Sequence, residues 1–296
     1  LAKCPVSYLC INGTTVSDLS VLKGKRLLGF ACRGIKVSDL SLLEGMKLLA
    51  LDCRDINLPN LLPFRDMPLK EFNFDFKPFR DTELLHSIKT LETINGKPAA
   101  EFWKEVEEKQ AAFDQWMKDV QAMPAEQQIE AVSKKLMELN PGFDGRIFRT
   151  QSNNRGYGQP KIENGKVTEI GVFARNVSDL SPLRAFSELV SLHCQAGGKD
   201  GPYPSLLPLV GMKIVHLDLA HSPGLNDLGS LQNLSTLENL NANETSVSDL
   251  TPLRECKNLT SLDVRRTKVN PSQVAALQNA LPNCKIEWDD PAKNPR

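Results

Sequence analysis

Three of the four histidines in the chain, His193, His216 and His221, stand close together, and two of them alternate with acidic and amide side chains in a recurring frame. Imidazole beside carboxylate serves acid–base chemistry, metal ligation or polar recognition. The repeat frame described below assigns the outward positions of successive short strands as Glu169, Gly171 and Phe173; Ser191, His193 and Gln195; His216, Asp218 and Ala220; Asn239, Asn241 and Asn243; Ser261, Asp263 and Arg265. Neighbouring strands lie about 4.8 Å apart, so His193 and Asp218 should be cross-strand neighbours with His216 a step away. The favoured reading is a recognition stripe for a partner, made of His193, His216, Asp218, Asn241, Asn243, Asp263 and Arg265. A His/Asp metal site is the lesser alternative, because exposed histidine beside aspartate is common without a ligand. No metal or cofactor is assigned. The equivalent face of an earlier set of strands (Tyr8, Cys10, Asn12; Gly29, Ala31, Arg33; Ala50, Asp52, Arg54; Glu71, Asn73, Asp75) is smaller-featured and less distinctive.

Other catalytic constellations are missing from the sequence. It contains no Gly-x-Ser-x-Gly, no phosphate loop with Lys and Ser/Thr, no His-x-x-x-His pair, and neither His-Arg-Asp nor Asp-Phe-Gly, so it is not itself a kinase. Gly197-Gly-Lys-Asp-Gly201 lacks the following Ser/Thr and helix, and reads as an inserted loop. Seven cysteines without Cys-x2-Cys spacing favour a reducing, cytoplasmic setting over a zinc site or disulfide framework. Cys32, Cys53 and Cys194 fall on inward strand positions, where a buried small hydrophobe is expected, and Cys10 falls on an outward one.

The elements that would position these residues come from a repeat. Val-Ser-Asp-Leu recurs at Val16–Leu19, Val37–Leu40, Val177–Leu180 and Val247–Leu250. Apolar residues precede it at matching offsets. Val6, Leu9 and Ile11 correspond to Leu27, Phe30 and Cys32, then to Leu48, Leu51 and Cys53, with a degenerate copy at Leu69, Phe72, Phe74 and Phe79. A second series runs through Val167, Ile170 and Val172; Leu189, Leu192 and Cys194; Ile214, Leu217 and Leu219; Leu237, Leu240 and Ala242; Leu259, Leu262 and Val264. Apolar residues three and then two apart suit a short strand with alternate side chains inward. One such unit cannot bury its apolar edge alone, whereas stacked units share a continuous core and a parallel sheet. Ser or Asp of the tetrapeptide should cap a single helical or 3₁₀ turn, with Pro182 and Pro252 at its first position.

Ile214-x-x-Leu217-x-Leu219 and Val177-Ser-Asp-Leu-Ser-Pro-Leu183 resemble the short bacterial leucine-rich repeat of internalin type. The resemblance implies an α/β repeat solenoid with a parallel sheet on the concave side and a protein-binding role. It departs from that pattern at the turn, where Thr14, Ile35, Ile56, Arg175, Ser222, Thr245 and Thr267 replace the usual Asn, so the asparagine ladder is largely lost. The wording of residues Lys89–Trp103 resembles repeat regions appended to large bacterial Ser/Thr protein kinases. That implies an alternative context, a sensor or regulatory arm whose catalytic domain lies outside this segment.

The repeats are interrupted. A short helix over 81–88 and a strand over 91–94 read as one end plate, and a helix over 271–281 with a strand over 284–288 as another. Pro98 and Pro124 open two amphipathic helices, striped by Phe102, Val106, Phe113, Met117 and Val120, and by Ile129, Val132, Leu136 and Leu139. Both helices are expected to plug the N-terminal end of the second array. Trp103 and Trp116 read as helix packing and Trp288 as part of the last cap, while Glu163-Asn-Gly-Lys166 reads as a hairpin turn. The expected organisation is two arrays, 1–97 and 146–296, separated by a helical capping insertion over 98–145.

Composition narrows the function. The chain has 296 residues, with 36 Lys+Arg balancing 36 Asp+Glu. Zero net charge disfavours nucleic acid as partner. Apolar runs such as Ser205–Met212 fall far short of the ~18 residues of a membrane span. The start, Leu1-Ala-Lys-Cys-Pro, is neither an initiator Met nor a secretory signal and reads as an excerpt from a longer polypeptide, so a secreted or periplasmic setting stays open if a signal lies upstream. The leading expectation is a non-enzymatic scaffold that binds a protein partner, without membrane insertion.

Overall fold

The structure is a computed structural model that describes residues 7–37, 39–56, 58, 61–150, 157–197 and 203–291. The chain divides into two compact units, Leu1–Phe113 and Asp114–Arg296. Among the described residues no helix is long and apolar enough to cross a membrane.

In the first unit the alternating apolar residues produce four three-residue strands, β1 (Tyr8–Cys10), β2 (Gly29–Ala31), β3 (Ala50–Asp52) and β4 (Glu71–Asn73). They pair in parallel, with Leu9, Phe30, Leu51 and Phe72 in register. Phe30, Leu51 and Phe72 are buried in the shared core, joined by the rows Leu27, Leu48, Leu69 and Cys32, Cys53, Phe74. Leu9 and Ile11 are only partly buried and pack against that core. Val6 and Ser38 lie outside the described residues. Opposite the sheet, 3₁₀ turns at Ser20–Leu22, Ser41–Leu43 and Leu62–Phe64 send Leu22, Leu43 and Phe64 inward.

The aspartate of the recurring tetrapeptide, rather than its serine, satisfies the start of each turn. Asp18 accepts the Ser20 N–H at 2.8 Å, Asp39 that of Ser41 at 2.8 Å, Asp179 that of Ser181 at 2.7 Å and Asp249 that of Thr251 at 2.9 Å. The turns Ser181–Ala185 and Thr251–Glu255 start one residue earlier than expected, which puts Pro182 and Pro252 second.

Loss of the asparagine ladder is compensated by the backbone. Just past most parallel strands one residue adopts a left-handed conformation: Gly13, Gly34 and Asp55 in the first unit, and Asn176, Gly197, His221, Glu244 and Arg266 in the second. The turn lets consecutive coils continue hydrogen bonding around the corner, as in Gly13 N–H to Arg33 O at 2.8 Å and His221 N–H to Asn243 O at 3.0 Å. Thr14, Thr245 and Thr267, which stand in place of Asn, donate their hydroxyls back to Ile11, Ala242 and Val264 carbonyls.

The first unit ends in α1 (Pro78–Ser87), β5 (Thr93–Ile94) and β6 (Lys97–Pro98), then α2 (Ala99–Gln121). Phe79 does not complete a fourth coil. It sits in α1 at 39% exposure, and Leu85 and Ile88 supply the buried side chains instead. A buried ion pair fixes α1: Asp81, fully buried, accepts from Arg80 and from the Lys77 N–H, while Arg80 donates to the Leu58 carbonyl. β5 joins the sheet beside β4, and Asn95-Gly96 turns it into β6.

The first connector helix divides between the two cores instead of plugging the second array alone. Phe102 is buried in the first unit's core, Trp103 and Val106 pack on that core, and Trp103 stacks on His86 at 3.6 Å between ring centroids. Val120 at the end of α2, with Ala125, Val132 and Leu136 of α3 (Ala125–Leu139), belongs to the second core, and Trp116 of α2 packs against it. The reason is local. The aromatic pair follows Pro98 directly and lies within reach of Phe76 and His86 of the first end plate.

In the second unit β7 (Ile147–Thr150), β8 (Tyr157–Gly158) and β9 (Lys161–Glu163) form antiparallel pairings that lead into β10 (Lys166–Phe173). Asn164 and Gly165, both at positive φ, make the hairpin turn. Five parallel partners follow: β11 (Ser191–Gln195), β12 (His216–Asp218), β13 (Asn239–Asn241), β14 (Ser261–Asp263) and β15 (Lys285–Glu287). Ile170, Leu192, Leu217, Leu240, Leu262 and Ile286 are in register. The first five are buried and Ile286 packs against them. α4 (Pro271–Ala280), capped by the Asn270 side chain on the Gln273 N–H, closes the end with Val274, Leu277 and Trp288.

Leu240→Ala should cost about 2–5 kcal/mol, because the vacated space is bounded by rows on both sides, whereas Leu62→Ala at 55% exposure should stay within about 0.5 kcal/mol. Denaturant titration measures both. Gly171 presents a second contrast. A Cβ there would meet the buried Phe148 ring at 2.5 Å, while at Gly29 it would meet the exposed Tyr8 ring at 2.3 Å. Gly171→Ala should therefore cost about 1–3 kcal/mol and Gly29→Ala much less, since the Tyr8 ring swings into solvent.

Candidate functional site

Alternation in β10–β15 turns every second residue outward, and the parallel register aligns them into two rows. One runs through Glu169, Ser191, His216, Asn239, Ser261 and Lys285, the other through Gly171, His193, Asp218, Asn241, Asp263 and Glu287. The face is hollowed by a concavity of about 320 Å³. Ser191, His193, His216, Asp218, Asn239, Asn241, Ser261, Asp263 and Glu287 line it, with Leu217 and Leu240 at its floor.

The structure sets His193 directly opposite Asp218, as the spacing predicts, with Nδ1 3.2 Å from Oδ2. His193 Nε2 lies 3.5 Å from Glu169 Oε1, so both ring nitrogens face carboxylate oxygens. Asp218 also accepts the Gln195 amide at 2.8 Å and the Ala220 N–H at 3.0 Å. Burial alone would raise the Asp218 carboxyl. The hydrogen bonds from His193, Ala220 and Gln195 outweigh burial and hold it below the usual carboxylate range. His216 stands in the neighbouring row, 3.0 Å from the Asn239 amide.

Asn241, Asn243, Asp263 and Arg265 are also brought to this face, but in structural roles that spacing alone does not reveal. The last residues of β12, β13 and β14 accept the N–H two residues on: Asp218 from Ala220, Asn241 from Asn243 at 3.2 Å and Asp263 from Arg265 at 3.0 Å. Asp52 does the same for Arg54 in the first unit. These acids and amides end the strands. Arg265 folds back on Asp263 and reaches Glu287 at 3.4 Å. As with Asp218, burial raises the Asp263 carboxyl, and Arg265 with the Asn243 side chain brings it below the ordinary value.

Ala220, assigned to the outward face, is instead buried: β12 ends at Asp218 and the chain curls inward there. His221 sits in the left-handed turn, bonded to Glu244 at 2.7 Å, and Glu244 also takes Arg266. Glu169, Gln195, Asn239 and Glu287 also belong to the network, though nothing in the spacing singles them out. The first three find their partners only across strands, and Glu287 takes Lys285 on its own strand as well as Arg265. The sequence reading also missed the aromatic group of Phe148, Tyr157 and Phe173, centroids 4.5–5.1 Å apart, that packs over Gly171 at the edge of the face.

Among the described residues no group of three or more His, Cys, Asp or Glu is arranged to hold a metal ion. Cys32, Cys53 and Cys194 are buried, and burial pushes Cys32 and Cys194 up to about 12, so neither is a thiolate nucleophile. Gly198–Gly201 of the glycine loop lie outside the described residues.

Short parallel strands, in-register inward leucines, aspartate-capped 3₁₀ turns and sealed ends decide the architecture. The fold is a leucine-rich-repeat solenoid. No protein-family model and no curated protein matches the chain. Among solved structures the leucine-rich-repeat chain is similar to internalin C2 of Listeria monocytogenes, at 15% identity over 96% of this chain and 80% of that one, with a TM-score of 0.31. It is likewise similar to a second Listeria monocytogenes internalin (15%, 96% and 76%, TM-score 0.35) and to a Leptospira interrogans leucine-rich-repeat protein (13%, 95% and 72%, TM-score 0.35). The assignment rests on the register of these leucine-rich repeats, not on those likenesses.

Asp218→Asn should destabilise the second unit by about 1–3 kcal/mol, because a charged acceptor shared by three donors is lost. A depressed carboxyl contributes stability that is complete above its unfolded value near 3.9 and disappears as pH falls through the lower folded value. The stability gap between wild type and Asp218→Asn should therefore close as pH falls below about 4, as read by urea titrations across pH.

Proposed function

We propose that this chain is a binding scaffold and that a protein partner docks on the outward face of the second sheet. The supporting observation is the hollow over β11–β15, whose polar side chains are held at fixed spacing by strands anchored in the core beneath. Stacked coils present such a face as one rigid surface, which limits the ordering cost of binding. The residues put forward are His193, His216, Asp218, Asn241, Asn243, Asp263 and Arg265. Fold type alone does not establish function, so the reading stands on this surface.

The chemistry of the hollow favours recognition over catalysis. Its carboxylates and His193 are bonded to one another, and no hydrogen bond joins Ser191 or Ser261 to a histidine or carboxylate that would activate the hydroxyl.

Affinity capture with the whole chain should retain a protein that the double variant Asn241→Arg with Ser261→Arg fails to retain, while Lys104→Glu on the outer surface of α2 retains it. A captured protein held equally well by the double variant, with its fold verified by circular dichroism, would place the interface elsewhere.

A further inference from the structure

The hydrogen-bond inventory of the hollow separates groups already engaged from groups still open. The charged ones are engaged. Asp218 accepts from His193, Gln195 and the Ala220 N–H; Asp263 holds the Arg265 guanidinium and N–H; Glu287 holds Lys285 and Arg265. A lysine or arginine arriving on this face would have to share carboxylates that already hold other donors. Among the described residues, the open groups are hydroxyls, amides and one ring nitrogen, Nε2 of His216. The hydroxyls of Ser191 and Ser261 have no partner, the Asn241 amide nitrogen has none, and the Asn239 amide keeps one polar atom beyond its contact with His216.

The spacing of these open groups has a period. Asn239 and Asn241 are alternate residues of β13, so their amides project from the same face about 6.6 Å apart, twice the rise of an extended residue. An extended polypeptide offers an N–H and a C=O along one edge with that same two-residue repeat. Carboxamides carry both donors and acceptors and match either group. Ser191 on β11 and Ser261 on β14 stand in the same outward row as Asn239, on either side of the β12–β13 pair, with Ser261 on the strand next to Asn239. The lining contains no Phe, Tyr or Trp ring on which a sugar could stack.

We infer that the partner places an extended, uncharged segment of polypeptide along β13 and that Asn239 and Asn241 read its main chain, with Ser261 flanking it. This rests on the docking face proposed above and adds what that face recognises. Recognition of this kind is insensitive to salt, because no counter-charge is exchanged.

Selection of a displayed library of random dodecapeptides on the whole chain tests it. The enriched peptides should be poor in Lys, Arg, Asp and Glu, and their affinity should change less than about twofold between low and high salt. Asn241→Asp keeps the acceptor that ends β13 but removes the donor, and should weaken binding about tenfold. Ser261→Ala, a change without consequence for folding at an exposed hydroxyl, should weaken it a few-fold. Enrichment of basic, salt-sensitive peptides overturns the inference. So does indifference to both variants, failure of any peptide to enrich, or retention of neutral oligosaccharides such as cellohexaose instead. A captured protein that the Asn241→Arg, Ser261→Arg variant loses, combined with no peptide enrichment, sinks this inference while the docking face stands.

Discussion

Every coil in this protein is one layer thick, and no coil has an interior of its own. Leu217 or Leu240 is dry only because the coils on either side cover it. A fully buried leucine is worth roughly 1.5–3 kcal/mol, so an uncovered row at either end exposes a comparable amount per residue. The C-terminal ends of both units are built around this constraint. Leu85, Ile94 and Phe102 close the first unit, and Val274, Leu277 and Trp288 cover the last layer of the second. Residues 89–103, which carry the kinase-linked resemblance, are accounted for by this task, with Ile94 in the core and Trp103 stacked on His86.

The same constraint creates the outward face. Because inward side chains lock each strand in register, the outward ones are held in rows at the strand spacing without any packing of their own. Asp218, Asn241 and Asp263 then serve two purposes at once. Each ends its strand by taking the N–H two residues on, and each stands in the floor or wall of the hollow. A polar stripe on a repeat sheet is therefore not by itself a binding signature. What distinguishes this one is the set of neutral groups that the strand-ending contacts leave open.

The inward rows were legible in the sequence because their signal is local and repeated: a fixed offset of apolar residues recurs coil after coil, and Leu51, Cys53, Leu219 and Leu262 all point inside. The pairing of His193 with Asp218 followed from the same frame. Departures arise where tertiary context overrides the period. Ala220 fits the outward frame but belongs to a chain already turning inward, and Phe79 fits the inward frame but begins a helix. Helix α2 reads as one amphipathic element, yet its two ends serve two cores, because stripe periodicity says nothing about which core a face meets. The buried Arg80–Asp81 pair and the Phe148 ring over Gly171 left no trace, since both depend on contacts between residues distant in sequence or on main-chain acceptors such as Leu58 O.

Native-state hydrogen exchange on the corner amides tests the central claim, that each layer is kept dry by the next. The N–H groups of Val264, Ala242 and Leu219 each bond to the following coil at 2.8 Å. Replacing Leu277 with Asp uncovers the last layer from α4. Protection should then fall most at Val264, less at Ala242 and least at Leu219, as coupling between neighbours requires. Loss of protection equal at all three, or greatest at Leu219, would contradict the layered account.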